Sequence, residues 1–277
     1  MNENEKDNII CKGIWYGEIP NNISREELWY KINNENDEKK KLLSIIDLLK
    51  LGDFSAKHLL IKMMNESTNN SVIKLCIRVF CSIANHSDIY NTKNLEMLSY
   101  FDDDAVNVFV TYSKQALSYE IVPYLLALLE EWEDTYVETT IRDSLQDILN
   151  YEESISKSVS VDEIGEFFLN KKEKVDVEKY YYKGVLAFPG VLTKRLLDAS
   201  ALSRKCGTEL KEITIPTILS IWSGIECPVQ YYTIVDDETM KKVFDYVKQL
   251  SKMNWEKGCK YFYGHKIGSG AKIKTEI

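Results

Sequence analysis

An apolar pattern that recurs every 32 residues between positions 73 and 149 constrains the fold more than any other feature of this sequence. Each segment places its core residues at positions i, i+4, i+7 and i+11, which is one stripe of an amphipathic α-helix. Ser144 is the one weak core residue in the pattern. The three stripes are Ile73, Ile77, Phe80 and Ala84; Ala105, Phe109, Tyr112 and Ala116; and Val137, Ile141, Ser144 and Ile148.

A repeated amphipathic helix buries its stripe only when neighbouring copies stack on one another. Further helices are expected between the stripes, at residues 92–100 and 120–131. The sequence therefore predicts a mainly α fold built as a HEAT- or armadillo-like array of helical hairpins. A period of 32 is short for such repeats, so the alternative is an ordinary helical domain whose helices are evenly spaced.

The array is expected to cover residues 24–150, and Ser24 with Glu27 forms a capping-box pattern that opens its first helix. Residues 1–23 are expected to form a polar tail and a short extended arm, because residues 9–19 are rich in β-branched and aromatic side chains. Residues 160–277 are predicted to be a less regular α-rich region with some β-structure, either separate from the array or continuous with it. Its predicted helix faces are Leu192, Leu196, Ala199 and Leu202, and Met240, Val243, Phe244, Val247 and Leu250.

Composition indicates a globular protein of the cytoplasm. Hydrophobic residues make up 44% of the chain and charged residues 28%, which is typical of globular domains. No apolar run reaches the roughly 18 residues that a membrane span requires. The first eight residues are polar and acidic, unlike a signal peptide, and the six cysteines form no C-x-x-C pair. We therefore expect a cytoplasmic location and no membrane partner.

Negative charge is concentrated in one part of the chain. Residues 96–166 contain 17 acidic and three basic side chains, a net charge of −14, whereas the whole chain carries −8. An acidic array repels nucleic acid, because helical repeats that bind DNA need basic faces to neutralise phosphate. A basic protein is the partner that this charge favours.

Signatures of catalysis and of cofactor or metal binding are absent from the sequence. The three histidines, His58, His86 and His265, have no metal-ligand spacing. A catalytic pair of Cys206 or Cys227 with His265 stays open, because the sequence does not show which side chains meet in the fold. Carboxylates are so abundant that choosing a glycosidase-like pair from them carries no information. We expect no catalytic residues, no metal and no cofactor.

Two acidic clusters lie just before the second and third stripes. One is Asp102 with Asp103, and the other comprises Glu130, Glu131, Glu133 and Asp134 around Trp132. Acidic residues at these positions favour the positive N-terminal end of the following helix. That structural role explains part of the charge, and the rest is either a solvated face or a binding surface for a basic partner. Trp132 is either an aromatic anchor of that surface or a core residue.

Four stretches resemble a family of bacterial immunity proteins of polymorphic toxin systems that have a HEAT-like helical array. They are Ile14-Trp15-Tyr16-Gly17-Glu18, Gly52-Asp53-Phe54, Tyr181-Tyr182-Lys183-Gly184 and Leu219-Ser-Ile-Trp-Ser-Gly-Ile-Glu-Cys-Pro-Val229. The resemblance runs over most of the chain. It implies a protein without catalytic activity that binds and neutralises a cognate toxin.

The resemblance and the charge together predict that a basic toxin domain binds the two acidic clusters and Trp132. Two other readings of the sequence stay open. One is a helical-repeat scaffold or adaptor without a toxin partner, and the other is an enzyme with its site in the C-terminal region. A pocket that gathers Cys227, His265 and a carboxylate would favour the enzyme.

Overall fold

The structure is a computed structural model that describes residues 22–156 and 159–268. Its mainly helical architecture confirms the predicted fold class, and the extended arm predicted at residues 9–19 lies outside the described residues. The α-helices are α1 Arg25–Asn34, α2 Glu38–Lys50, α3 Lys57–Glu66, α4 Asn70–Ile83, α5 His86–Tyr90, α6 Asp103–Ser113, α7 Val122–Glu131, α8 Tyr136–Leu149, α9 Val161–Lys172, α10 Pro189–Cys206, α11 Thr214–Ser223 and α12 Asp237–Leu250. Short 3-10 helices lie at Phe54–Ala56, Thr92–Ser99, Lys114–Ala116, Tyr119–Ile121 and Tyr151–Glu153.

The described residues also form two short antiparallel hairpins. They pair β1 (Tyr181–Tyr182) with β2 (Val185–Leu186), and β3 (Tyr261–Phe262) with β4 (His265–Lys266). The chain forms two compact units. Residues 22–54 and 187–266 make up the terminal unit, and residues 55–156 and 159–186 make up the central unit together with residues 267–268. The domain boundaries expected from the sequence stay a prediction.

In the central unit, the three helices that carry the repeated stripe lie side by side. Helix α4 packs on α6, and α6 packs on α8. Lys74, near the N-terminus of α4, contacts Asp104 in the first turn of α6. Lys114, at the C-terminal end of α6, contacts Asp147 near the C-terminus of α8. Since α4 and α6 meet near their N-termini, and α6 and α8 near their C-termini, the three helices run in the same direction.

Hydrogen bonds in this unit join residues separated by about one repeat. His86 bonds to Ser118, 32 positions further on. Ser144 donates from its hydroxyl to the carbonyl of Val110, 34 positions earlier. The hydroxyl group explains how the weak member of the third stripe is accommodated, because its buried polar atom has a partner. The assignment to the HEAT or armadillo class stays a prediction.

The stripes are buried as predicted, except at Tyr112, which is half-buried. The guanidinium of Arg78 on α4 lies 4.6 Å from the centre of the Tyr112 ring and covers it. The predicted helix caps are present as well, since Ser24 and Glu27 form the expected capping box. Local sequence signals and packing therefore agree along this part of the chain.

In the terminal unit, α10 packs on α11 and α12, and α1 packs on α2. The hairpin of β3 and β4 lies against the end of α2 at Gly52, whose φ is +78°. A Cβ on Gly52 would lie 2.7 Å from Cγ of His265, so the contact requires glycine for both space and conformation.

Two predicted helix faces of the terminal unit are partly wrong. Leu202 is exposed on α10, while Ser200 and Ser203 are buried in its place. Ser203 fits because its hydroxyl donates to the carbonyl of Thr208 at 2.5 Å. On α12, Phe244 is exposed and Tyr246 is buried, with its hydroxyl donating to the carbonyl of Ile225 at 3.3 Å.

Candidate functional site

The structure brings the two acidic clusters to the same edge of the central unit. The hydroxyl of Tyr136, the first residue of α8, donates to Oδ2 of Asp103 in the first turn of α6 at 2.9 Å. The second cluster lies immediately before Tyr136, at the end of α7 and in the turn that follows. We call the six carboxylates of this region the acidic edge: Asp102, Asp103, Glu130, Glu131, Glu133 and Asp134.

The acidic residues at the start of α6 have the structural role that the sequence suggested. Asp102 is the N-cap, and its Oδ1 accepts the backbone N–H of Ala105 at 2.9 Å. Asp103 lies in the first helical turn, where a carboxylate is favoured by the partial positive charge of the N-terminus. Asp104, also in that turn, pairs with Lys74 at 2.9 Å.

Glu130 and Glu131 do not have this role, which corrects the interpretation from sequence. Helix α7 continues through Glu131, so both carboxylates lie in its last turn rather than before α8. Both are exposed, and the last turn contains no basic residue. A carboxylate at a helix C-terminus faces the partial negative charge of the unsatisfied carbonyls, which is unfavourable. Helix stabilisation therefore does not account for these two charges.

The turn between α7 and α8 displays the rest of the second cluster. Asp134 has a left-handed backbone with a φ of 60°, and its N–H donates to Oε2 of Glu138 at 3.0 Å. Thr135 caps α8. Trp132 is half-buried and its indole nitrogen is buried. Four carboxylates flank it in the sequence, and both roles expected for it stay open.

The acidic edge lacks counter-ions within the described residues. Basic side chains of the neighbouring helices are paired with other carboxylates, since Lys74 pairs with Asp104 at 2.9 Å and Arg142 with Glu138 at 2.7 Å. Within the described ranges, no ion pair is formed by Asp102, Asp103, Glu130, Glu131, Glu133 or Asp134. Among the residues that the structure describes, the negative charge of the acidic edge is therefore not offset by ion pairs.

Two exposed tyrosines, Tyr136 and Tyr100, accompany the acidic edge and were missed by sequence reasoning. Tyr136 is 62% exposed, and its hydrogen bond to Asp103 raises the pKa of its hydroxyl above the ordinary value. Tyr100 is 58% exposed and donates from its hydroxyl to the carbonyl of Asn65 at 2.6 Å. The spacing of Tyr136 from Asp103, close to one repeat, was the signal that could have identified it.

A groove of about 260 Å³ opens next to Asp102, between the N-terminal ends of α4 and α6. The rings of Tyr100 and Phe101 meet there edge to face, with their centres 5.7 Å apart. The groove is lined by Ser67, Thr68, Asn70, Ile73, Lys74, Tyr100, Phe101, Asp102 and Ala105. The acidic edge therefore borders an aromatic recess.

The residues considered for catalysis are placed in separate packing contacts. Cys227 is buried, and burial raises the pKa of its thiol to about 12, which leaves little reactive thiolate near neutral pH. His265 packs against Gly52. His86 is buried, stacked on Tyr180 with ring centres 4.2 Å apart, and bonded to Ser118 at 2.7 Å.

Two further findings concern ligands and membranes. Across residues 22–156 and 159–268, no group of three or more His, Cys, Asp and Glu side chains is arranged to hold a metal ion. In the same part of the chain, no helix has the length and apolarity needed to cross a membrane.

The comparison with protein families confirms the class that the resemblance in the sequence implied, an immunity protein. The chain is a member of the family described as Immunity protein 47, whose model matches residues 10–267. A search of curated proteins found no match, and neither did a search of solved structures. Membership of this family indicates that the protein neutralises a toxin.

Proposed function

We propose that this protein neutralises a cognate toxin of a bacterial polymorphic toxin system by binding it in the cytoplasm, without catalysis. The acidic edge contacts a basic surface of the toxin, and Trp132 contributes an aromatic anchor within it. Nucleic acid and membrane surfaces are disfavoured as partners by the same negative charge.

The placement of Glu130 and Glu131 supports this proposal most strongly. Both carboxylates lie at the unfavourable end of α7, and neither forms an ion pair with a described residue. Such charge costs stability through self-repulsion, and a cationic partner would offset that cost. A cationic side chain of the toxin placed there offsets both the repulsion between the carboxylates and their unfavourable interaction with the helix dipole.

We expect the carboxylates and Trp132 to contribute differently to binding. Exposed carboxylates at the rim of an interface mainly accelerate association, which reaches about 10⁸ M⁻¹s⁻¹ or more at low salt when steering is strong. A half-buried aromatic residue such as Trp132 is the type of side chain that dominates interface energetics. We therefore expect the carboxylates to control the association rate and Trp132 to control dissociation.

The test is affinity capture from a lysate of the native bacterium with the whole protein as bait, followed by purification of the captured partner. The proposal predicts one stoichiometric basic protein that is toxic when expressed alone and harmless when expressed together with the bait. A partner that remains toxic in the presence of the bait, or no partner under conditions in which the toxin is expressed, would contradict the proposed function.

Matched variants then test the surface. Glu130→Gln with Glu131→Gln removes two charges from the acidic edge. Asp198→Asn with Asp245→Asn removes two charges from exposed positions of the terminal unit. We expect the first pair to slow association at low salt by about tenfold and the second to leave it unchanged. Equal rates for both pairs would remove the acidic edge from the interface while leaving toxin neutralisation itself untouched.

A further inference from the structure

The groove beside Asp102 contains exposed aromatic surface in a fixed position. The ring of Tyr100 is held at both ends, by the hydrogen bond from its hydroxyl to the carbonyl of Asn65 and by the edge-to-face contact with Phe101. More than half of the Tyr100 side chain nevertheless faces solvent. A ring that is ordered but uncovered has already lost the conformational freedom that binding would otherwise remove.

The charge of the groove favours a cation. Asp102 lines the groove and uses Oδ1 to cap α6, so Oδ2 is available to accept a hydrogen bond from a ligand. The ammonium of Lys74 also lines the groove, but its charge is compensated by Asp104 at 2.9 Å. The N-terminus of α4 is already capped, because Oδ1 of Asn69 accepts the N–H groups of Ser71 and Val72.

The same pair of helices already holds an arginine on an aromatic ring. Arg78 on α4 lies over Tyr112 on α6, with the guanidinium carbon 4.6 Å from the ring centre. A planar guanidinium stacks on an aromatic face and pairs with a carboxylate at the same time, which an ammonium does less well. Tyr100 and Asp102 offer these two partners in the groove.

The groove is small enough to be filled by one long side chain. Its volume of about 260 Å³ lies just below the range of about 300–1,000 Å³ that is typical of pockets for drug-sized ligands and cofactors. One long side chain of a protein partner is the occupant that this volume favours.

From these observations we infer that the groove receives an arginine side chain of the toxin, with the guanidinium stacked on Tyr100 and paired with Asp102. The inference rests on the proposed function, because the arginine comes from the toxin that the protein neutralises. It adds a specific anchoring pocket to the more general attraction of the acidic edge.

The first experiment uses the isolated whole protein and a defined probe. ¹⁵N-labelled protein is titrated with N-acetyl-argininamide, and N-acetyl-glutaminamide and inorganic phosphate are the comparison ligands. We expect saturable shifts of the amide signals of Phe101, Asp102 and Ala105 with the arginine probe only. Equal shifts with the glutamine probe, shifts with phosphate instead, or no shifts at these amides would overturn the inference.

The second experiment blocks the groove. Thr68 is exposed, lies in a loop and lines the groove, so Thr68→Trp fills the recess without removing a core side chain. Ser71→Trp places the same ring at an exposed position of α4 that does not line the groove, and serves as the control. Thr68→Trp should abolish the shifts caused by the arginine probe and raise the Kd for the captured toxin about tenfold.

The outcomes separate the inference from the proposed function. Toxin affinity that is unchanged by Thr68→Trp, in a folded protein that still neutralises the toxin, would overturn the arginine pocket and leave the function in place. Loss of affinity in Thr68→Trp but not in Ser71→Trp would support the pocket. Failure to neutralise the captured protein at all would instead contradict the proposed function.

Discussion

Replacing Glu130 and Glu131 by glutamine should make the protein more stable while making it a poorer binder. Both carboxylates lie in the last turn of α7, where the structure provides no basic residue. Glu133 and Asp134 follow within three positions and add to the repulsion. Glutamine keeps the length and hydrogen-bonding capacity of the side chain, so the substitution isolates the charge.

The size of the effect follows from the position of the charges. An unfavourable interaction with a helix end is worth about 0.3–1 kcal/mol for an exposed group at low ionic strength. Two such groups predict an increase of about 1 kcal/mol in the free energy of unfolding. Urea denaturation followed by circular dichroism, at low salt and at 1 M salt, measures it. The gain should shrink at high salt, where screening shortens the range of charge interactions to about 3 Å.

The pair Asp198→Asn with Asp245→Asn is the control, because it changes the net charge equally at exposed positions of other helices. Substitutions at such positions are expected to change stability by less than about 0.5 kcal/mol. A lower unfolding free energy for Glu130→Gln with Glu131→Gln would refute the reasoning, since it would mean that the two carboxylates stabilise the fold.

Three further predictions concern individual contacts. Gly52→Ala should destabilise the protein by more than about 1 kcal/mol in urea denaturation, because a positive φ and the nearby ring of His265 both oppose a Cβ. Cys227 should resist alkylation by iodoacetamide at pH 8 until the protein unfolds, because burial raises the pKa of its thiol; rapid labelling in the native state would contradict this. Glu138→Gln should lower stability at pH 7 but not at pH 2 in the same urea assay. The hydrogen bond from Arg142 lowers the pKa of Glu138. The stability that this carboxylate contributes is therefore lost as the pH falls through the lowered pKa. An equal loss at both pH values would contradict it.

The regular part of the fold was predictable from sequence because one physical requirement repeats along the chain. Each of α4, α6 and α8 has an apolar stripe that only a neighbouring helix can cover, so the period of the stripe revealed both the helices and their packing. Short local motifs were equally reliable, as in the capping box of Ser24 and Glu27.

Prediction was wrong where burial depends on the partner helix rather than on the hydrophobicity of the side chain. Leu202 is exposed because α10 turns the small hydroxyl side chains of Ser200 and Ser203 inward. Tyr246 replaces Phe244 in the core because its hydroxyl reaches the carbonyl of Ile225. A hydrophobic stripe identifies a helix, but the neighbour decides which face of it is covered.

The candidate site was located from sequence only in part. The clusters of carboxylates can be recognised in the sequence, but the residue at which α7 ends cannot. Glu130 and Glu131 were therefore assigned to the wrong helix end. The roles of Tyr100 and Tyr136 depend on how helices one repeat apart align. Charge density indicated the proposed binding surface, and only the packing of the helices shows the recess beside that charge.

The most direct test of the account is the salt dependence of association between this protein and its captured toxin. Stopped-flow measurements would compare the wild type with a variant in which the six carboxylates of the acidic edge are replaced by their amides. The account predicts that the wild type associates faster at low salt, loses this advantage steeply as salt rises, and converges with the variant at high salt. Identical rates and identical salt dependence for the two proteins would contradict the claim that the acidic edge recruits the toxin.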